Sequence, residues 1–278
     1  MHRLEQQLRA KANDAAHPLR HGSFSRICVA VDNSPAAENA AHLAISLVRG
    51  NKRAELTFCH VIDISRMVAR ADRSLDDYGL SIETAEGSAH MALARCCLLA
   101  RQAGVFARSY IRHGRPATEA SSFAKRIGAD LMVIGNSPAD RIHRLLNGSI
   151  RDEMVQACSL PLLIATAHFM RPADFRPRCI LVPGADSPAA IRAKRVAAEL
   201  ASDFSAQLIL LPGAHGGISE ESTKIDRAVG EHHPGLIVMA AAPRRRVRNI
   251  FADDLVERVM QEAHVPLLVV ATAGAGEG

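Results

Sequence analysis

The sequence predicts an α/β protein of two tandem parallel-sheet domains, the second one reduced. Three observations carry that expectation. Apolar runs of about four to eight residues alternate with helical patterns of about ten or more, as parallel strand-helix units require. The same succession is written twice, because RICVAVDNSPAAENAAHLAISLV from Arg26 matches RCILVPGADSPAAIRAKRVAAEL from Arg178. The second copy is shorter in its middle. A length of 278 residues, 48% apolar and 23% charged, suits two packed cores at roughly 150 residues per domain and excludes a largely disordered chain.

The elements follow in order. The first strand begins at Arg26, and Ser34-Pro35 starts a helix: Ser offers its oxygen to the orphan amides, and Pro at the first helical position has no amide to orphan. A second strand runs near Glu55 to Ile62, a helix around Glu83 to Ala103, and a third strand around Val105 to His113. A helix from Pro116 to Ile127 and a fourth strand at Leu131 to Ile134 come next, then a helix SIRDEMVQA from Ser149 and a last strand in LPLLIATA from Leu160. In the second copy, ADLMVIGNSPADRIHRLLNGSIRDEMVQACSLPLLIATA is answered by GLIVMAAAPRRRVRNIFADDLVERVMQEAHVPLLVVATA. Between Leu211 and Leu236 there is room for one helix and no further strand, so this copy has lost its edge strand. The domains are placed at 23–168 and 178–272, with a linker at 169–177 carrying Pro172 and Pro177, and tails at 1–22 and 273–278.

Composition removes several function classes. No apolar run approaches the roughly 18 residues that span a bilayer, and the N-terminus lacks the apolar stretch of a signal peptide, so a cytoplasmic protein without membrane contact is expected. Cys28, Cys59, Cys96, Cys97, Cys158 and Cys179 lie at irregular spacings in apolar segments and read as small buried hydrophobes, not as a disulfide framework or a zinc site. The histidines are scattered, without H-E-x-x-H, and read as surface residues. A net charge of +5 with 4% aromatics and no Trp does not point to nucleic acid.

Chemistry concentrates after the fourth strand. Gly135-Asn136-Ser137-Pro138 is followed by nine residues and then Gly148-Ser149, which opens a helix whose free amides and dipole favour a phosphate. Asp32 follows the first strand directly. These residues resemble the universal stress protein family in its tandem form. The family's domain is a doubly wound parallel sheet of order 3-2-1-4-5, the adenine nucleotide alpha-hydrolase-like fold, and its ATP-binding members carry G-x-x-G, nine residues, then G-S or G-T. The resemblance implies ATP, or ADP or AMP, in the first domain, with Mg where the nucleotide carries it. Asp32 would serve the adenosine end, Val61 would pack on the base, and Gly135, Gly148, Ser149 and Ile150 would surround the phosphates. It also implies a pseudo-dimer of the two halves through their last strands, with homo-oligomers or a protein partner as further associations.

This chain departs from the pattern. Pro138 stands where the second motif glycine belongs and removes a backbone donor. In the second copy Ala185 replaces Asp32, Ala240 replaces Gly135, and Asp253-Asp254 replaces Gly148-Ser149. Two carboxylates would repel a phosphate. The run Arg244-Arg245-Arg246-Val247-Arg248 falls in this degenerate loop and reads as a solvated loop, a source of salt bridges to Asp253 and Asp254, or an anion patch.

Non-ligand readings stand beside these. Asp32 can be a turn residue capping the Ser34 helix, and Ser149 an ordinary N-cap. The expected function is therefore an ATP-binding stress-response regulator using the first domain, not an enzyme. The alternative is a nucleotide-free interaction module, and slow ATP hydrolysis is a third reading without an evident base or metal-ligand set. Gly135-Asn136-Ser137-Pro138-Ala139 is not a nucleophile elbow, since Pro138 and a polar segment follow.

Overall fold

The computed structural model describes residues 23–64, 75–136, 160–166, 175–187, 190–213, 218–241 and 265–271, with Leu255 and Val259. Residues from Phe24 to Ala173 form one compact unit, and the chain from Asp174 onward belongs to the other.

The first unit is a parallel sheet of five strands: β1 (Arg26–Ala30), β2 (Glu55–Ile62), β3 (Ala107–His113), β4 (Leu131–Gly135) and β5 (Leu162–Ala165). Their order is β3-β2-β1-β4-β5, with every pair parallel. β1, β4 and β5 are short and almost wholly apolar because both faces are covered. Three helices make the connections: α1 (Pro35–Val48), α2 (Leu75–Gln102) and α3 (Pro116–Arg126). The α2 helix starts earlier than its sequence pattern suggests, and from Ala89 onward it buries a regular stripe, Ala89, Ala92, Leu93, Cys96 and Ala100.

Local chemistry accounts for the boundaries. Ser34 has extended backbone angles, and its Oγ accepts the Ala37 N–H at 3.3 Å, with Pro35 entering the helix. The α1 face on the sheet is mostly alanine, with Ala36, Ala37, Ala40, Ala41 and Ala44 all buried. Small side chains let the helix axis lie close to the strands. At the opposite end of the sheet Asp130 holds the register of β1 against β4: its carboxylate accepts Ser25 N–H and Oγ–H, each at 2.8 Å, and Arg26 N–H at 2.9 Å.

The second unit repeats the plan with one strand fewer. β6 (Cys179–Val182), β7 (Gln207–Leu210), β8 (Leu236–Ala241) and β9 (Leu267–Ala271) run in the order β7-β6-β8-β9, all parallel. α4 (Ala190–Phe204) joins β6 to β7, and α5 (Ile218–His232) joins β7 to β8. Among the described residues a single helix stands where the first unit has a helix, a strand and another helix, as the length difference predicts.

Cys28, Cys59, Cys96 and Cys179 are buried free thiols and Cys97 is half-buried, matching the reading of these cysteines as packing residues, while Cys158 lies outside the described residues. Burial pushes the Cys59 and Cys96 thiols up to about 12. Among the described residues no helix is long and apolar enough to cross a membrane, and no three His, Cys, Asp or Glu side chains gather as metal ligands. Replacing Asp130 with Ala removes three hydrogen bonds to a charged acceptor. The expected loss is about 1.5–3 kcal/mol of stability, read as a lower urea midpoint with an unchanged m-value.

Candidate functional site

The order β3-β2-β1-β4-β5 reverses direction between β1 and β4. The carboxyl ends of strands at such a reversal are where open α/β sheets take ligands. The residues there come from four strand ends.

Asp32 follows β1 on an exposed loop. Its Oδ1 accepts the Ser34 N–H at 2.9 Å and also the Ser34 hydroxyl. The hydroxyl in turn caps Ala37. Asp32 is thus the turn residue that the non-ligand reading anticipates, holding the N-cap Ser34, and among the described residues only its Oδ1 is engaged this way. The loop is held on both sides: Val31 N–H reaches Cys59 O at 2.8 Å, and Asn33 Nδ2 donates to Ser88 Oγ on α2 at 2.7 Å.

Val61 stands at the end of β2, half-buried, in the place the resemblance gives to a contact with a base. Gly135 ends β4, and its lack of a side chain has a cause inside the protein. A Cβ there would collide with Ala36 O and lie 2.8 Å from Ala37 N. The first turn of α1, and not an incoming ligand, makes the close approach. Gly148, Ser149 and Ile150 lie outside the described residues, as do Pro138, Arg244 to Arg248, Asp253 and Asp254.

Beneath this rim is a layer of buried polar side chains. Asn136 follows Gly135 and is buried, with its N–H donated to Ala165 O at 2.9 Å; Thr166 after β5 is fully buried. His60 is 8% exposed, and among the described residues its Nδ1 has no hydrogen-bond partner. Burial lowers the imidazole below its usual value of 6.5, against the opposing pull of the Asp32 carboxylate and the Val31 backbone. The expectation of surface histidines is therefore wrong for His60. Its signal in the sequence is one histidine inside the otherwise apolar run FCHVI.

The matching region of the second unit is arranged differently. Ala185, in the position of Asp32, is buried. The next residue, Asp186, reaches across to the loop after β7 and accepts Gly213 N–H at 2.7 Å, while Lys224 Nζ donates to Gly213 O at 3.3 Å. The unit's own groups occupy the strand ends that hold Asp32 and Val61 in the first unit.

A family model for the universal stress protein family matches residues 23–166, more than half of the chain. The chain belongs to the universal stress protein family. A universal stress protein of Methanocaldococcus jannaschii is 26% identical over 148 residues, covering 52% of this chain and 85% of its own. A Staphylococcus epidermidis relative is 30% identical over 161 residues, 56% of this chain and 92% of its own. Among solved structures, a universal stress protein from Archaeoglobus fulgidus DSM 4304 covers 93% of this chain and 100% of its own, with a TM-score of 0.73 and 15% identity. That likeness agrees with the adenine nucleotide alpha-hydrolase-like fold.

Two predictions test this geometry. Gly135→Ala forces a methyl against helix backbone that cannot rotate away, so it lowers stability by about 1–3 kcal/mol in urea denaturation with no nucleotide present. A Gly135→Ala chain as stable as the parent contradicts the packing role. His60 has a lowered proton affinity in the fold, so the unfolded chain binds more protons below pH 6.5 and stability falls as pH drops through that value. Urea midpoints measured across that range show a shallower decline for His60→Asn; an identical decline in both proteins contradicts the assignment.

Proposed function

We propose that this universal stress protein is a regulator that binds an adenine nucleotide in its first unit and does not turn it over. The observation that carries the reading is the uncommitted Oδ2 of Asp32 at the strand reversal between β1 and β4. A fixed carboxylate with one oxygen available suits two vicinal hydroxyls, and the half-buried Val61 at the end of β2 supplies an apolar contact for a flat base. The described half of the crevice therefore fits the adenosine part of ATP, ADP or AMP. Gly148, Ser149 and Ile150 would hold the phosphates and any accompanying Mg, by the motif spacing. The second unit is read as a degenerate copy without this activity, since the buried Ala185 in the place of Asp32 offers no acceptor.

A second reading, a nucleotide-free interaction module, has a specific observation in its favour. Capping explains Asp32 Oδ1, and helix packing explains Gly135, so neither feature by itself demands a ligand.

Calorimetry with ATP separates the two. The nucleotide reading expects one site per chain, and adenine nucleotide released from denatured, purified protein. Asp32→Asn keeps a capping oxygen but loses the charge, and a charge-assisted hydrogen bond of about 1.5–3 kcal/mol corresponds to a weakening of about tenfold or more. Ser149→Ala should likewise weaken ATP. If the parent shows neither heat nor released nucleotide, and Ser149→Ala costs only about 1 kcal/mol of stability, the interaction module stands instead.

A further inference from the structure

The β3 strand is the edge of the first unit's sheet, hydrogen-bonded to β2 alone among the described residues. Gly114 N–H donates to Ile62 O at 3.0 Å. Backbone groups alternate sides along a strand. Residues 108, 110 and 112 therefore turn their N–H and C=O toward β2, as Gly114 does, while those of Ala107, Ser109, Ile111 and His113 face the open edge. A seven-residue strand with an open ladder is a ready template for another chain.

The side chains on one face beside that ladder are predominantly basic, while at its end His113 pairs with Glu86 of α2 at 3.3 Å. Tyr110 packs on Phe123 of α3 at 5.2 Å between ring centroids, which puts the even-numbered residues of β3 on the α3 face. That face presents Arg108, Tyr110 and Arg112, with Phe106 just before them 78% exposed. Arg126 and Arg112 lie over the Phe123 ring at 5.6 and 5.8 Å. Glu119 lies 3.9 Å from Arg112, and the register sets the exposed Glu55 level with Phe106. Among the described residues, Arg108, Arg112 and Arg126 outnumber these two acids and leave the face basic.

We propose that the β3 edge docks an acidic segment of another protein, taken up as an added strand. The ladder would supply backbone hydrogen bonds, and carboxylates at alternate positions of the segment would meet Arg108, Arg112 and Arg126. Charge decides the occupant. A second copy pairing antiparallel through β3 would set arginines against arginines, which is destabilising. The chain's own first 22 residues carry Arg3, Arg9, Lys11 and Arg20 against Glu5 and Asp14, so they also have the wrong sign. Nucleic acid has no use for the free backbone ladder, and Phe123 is already covered by two guanidinium groups, which leaves it unavailable for base stacking.

The test uses the full chain and a fluorescein-labelled peptide of alternating Glu and Val, about eight residues long to match a strand. Fluorescence anisotropy should show saturable binding that salt weakens, with no binding of the matching Lys-Val peptide. Ser109→Pro deletes an edge-facing N–H without touching the pairing to β2, and it should cut affinity at least about tenfold, as an edge proline tolerated by the fold removes a ladder bond. Arg108→Glu combined with Arg126→Glu should abolish binding and decides the matter if Ser109→Pro fails to fold. Absence of binding at low salt would overturn the proposal and leave the arginines as guards against edge pairing. A single-stranded RNA oligonucleotide binding tighter than the peptide, and indifferently to Ser109→Pro, would overturn it in favour of a nucleic-acid surface.

Discussion

The close approach of the first turn of α1 to the end of β4 is the constraint on which the first unit's functional end depends. Gly135 lies under Ala36 and Ala37 so tightly that a methyl group has no room. The alanine face of α1 makes this possible along its length. Because the helix start is pinned there, the short loop before it is pinned too, and Asp32 has to stand at the mouth of the crevice. The Asp32-Ser34-Ala37 chain of hydrogen bonds closes the same end. One carboxylate thus orders the loop that leads into the helix terminus.

The two units show what happens when this arrangement is relaxed. In the second, Ala240 replaces Gly135, and the residue matching Asp32 is the buried Ala185. The neighbouring Asp186 accepts Gly213 N–H, and Lys224 braces the same glycine's carbonyl. These bonds tie the loops after β6 and β7 together. The missing edge strand points the same way: β7 borders the second sheet, whereas in the first unit β3 extends beyond β2 and brings a cationic margin with it. The sheet survives on its apolar strands, and the polar rim differs.

Much of this was legible in the residues. The periodic elements stand out because strands buried on both faces must be continuous apolar runs, as LMVIG and CILV are, and because Ser34-Pro35 is a helix start with a physical mechanism. The shorter second unit follows from chain length alone. The packing of α1 on Gly135 was not legible, since a sequence does not say which backbone comes close. His60 was missed for a similar reason: in FCHVI the burial of a histidine depends on strands and helices distant in sequence. Asp32 was legible as a turn residue, and its bonds from Ser34 bear that reading out, whereas its adenosine role rests on the resemblance.

The account turns on one carboxylate at one crevice. Backbone amide shifts followed by NMR during an ATP titration test it most directly, because they report where along the chain the nucleotide sits. Saturating changes at Val31, Asp32, Asn33 and Val61, with Ala185, Asp186 and Gly213 unmoved, are the result predicted. Changes confined to the second unit, or none at either set of strand ends, would contradict it.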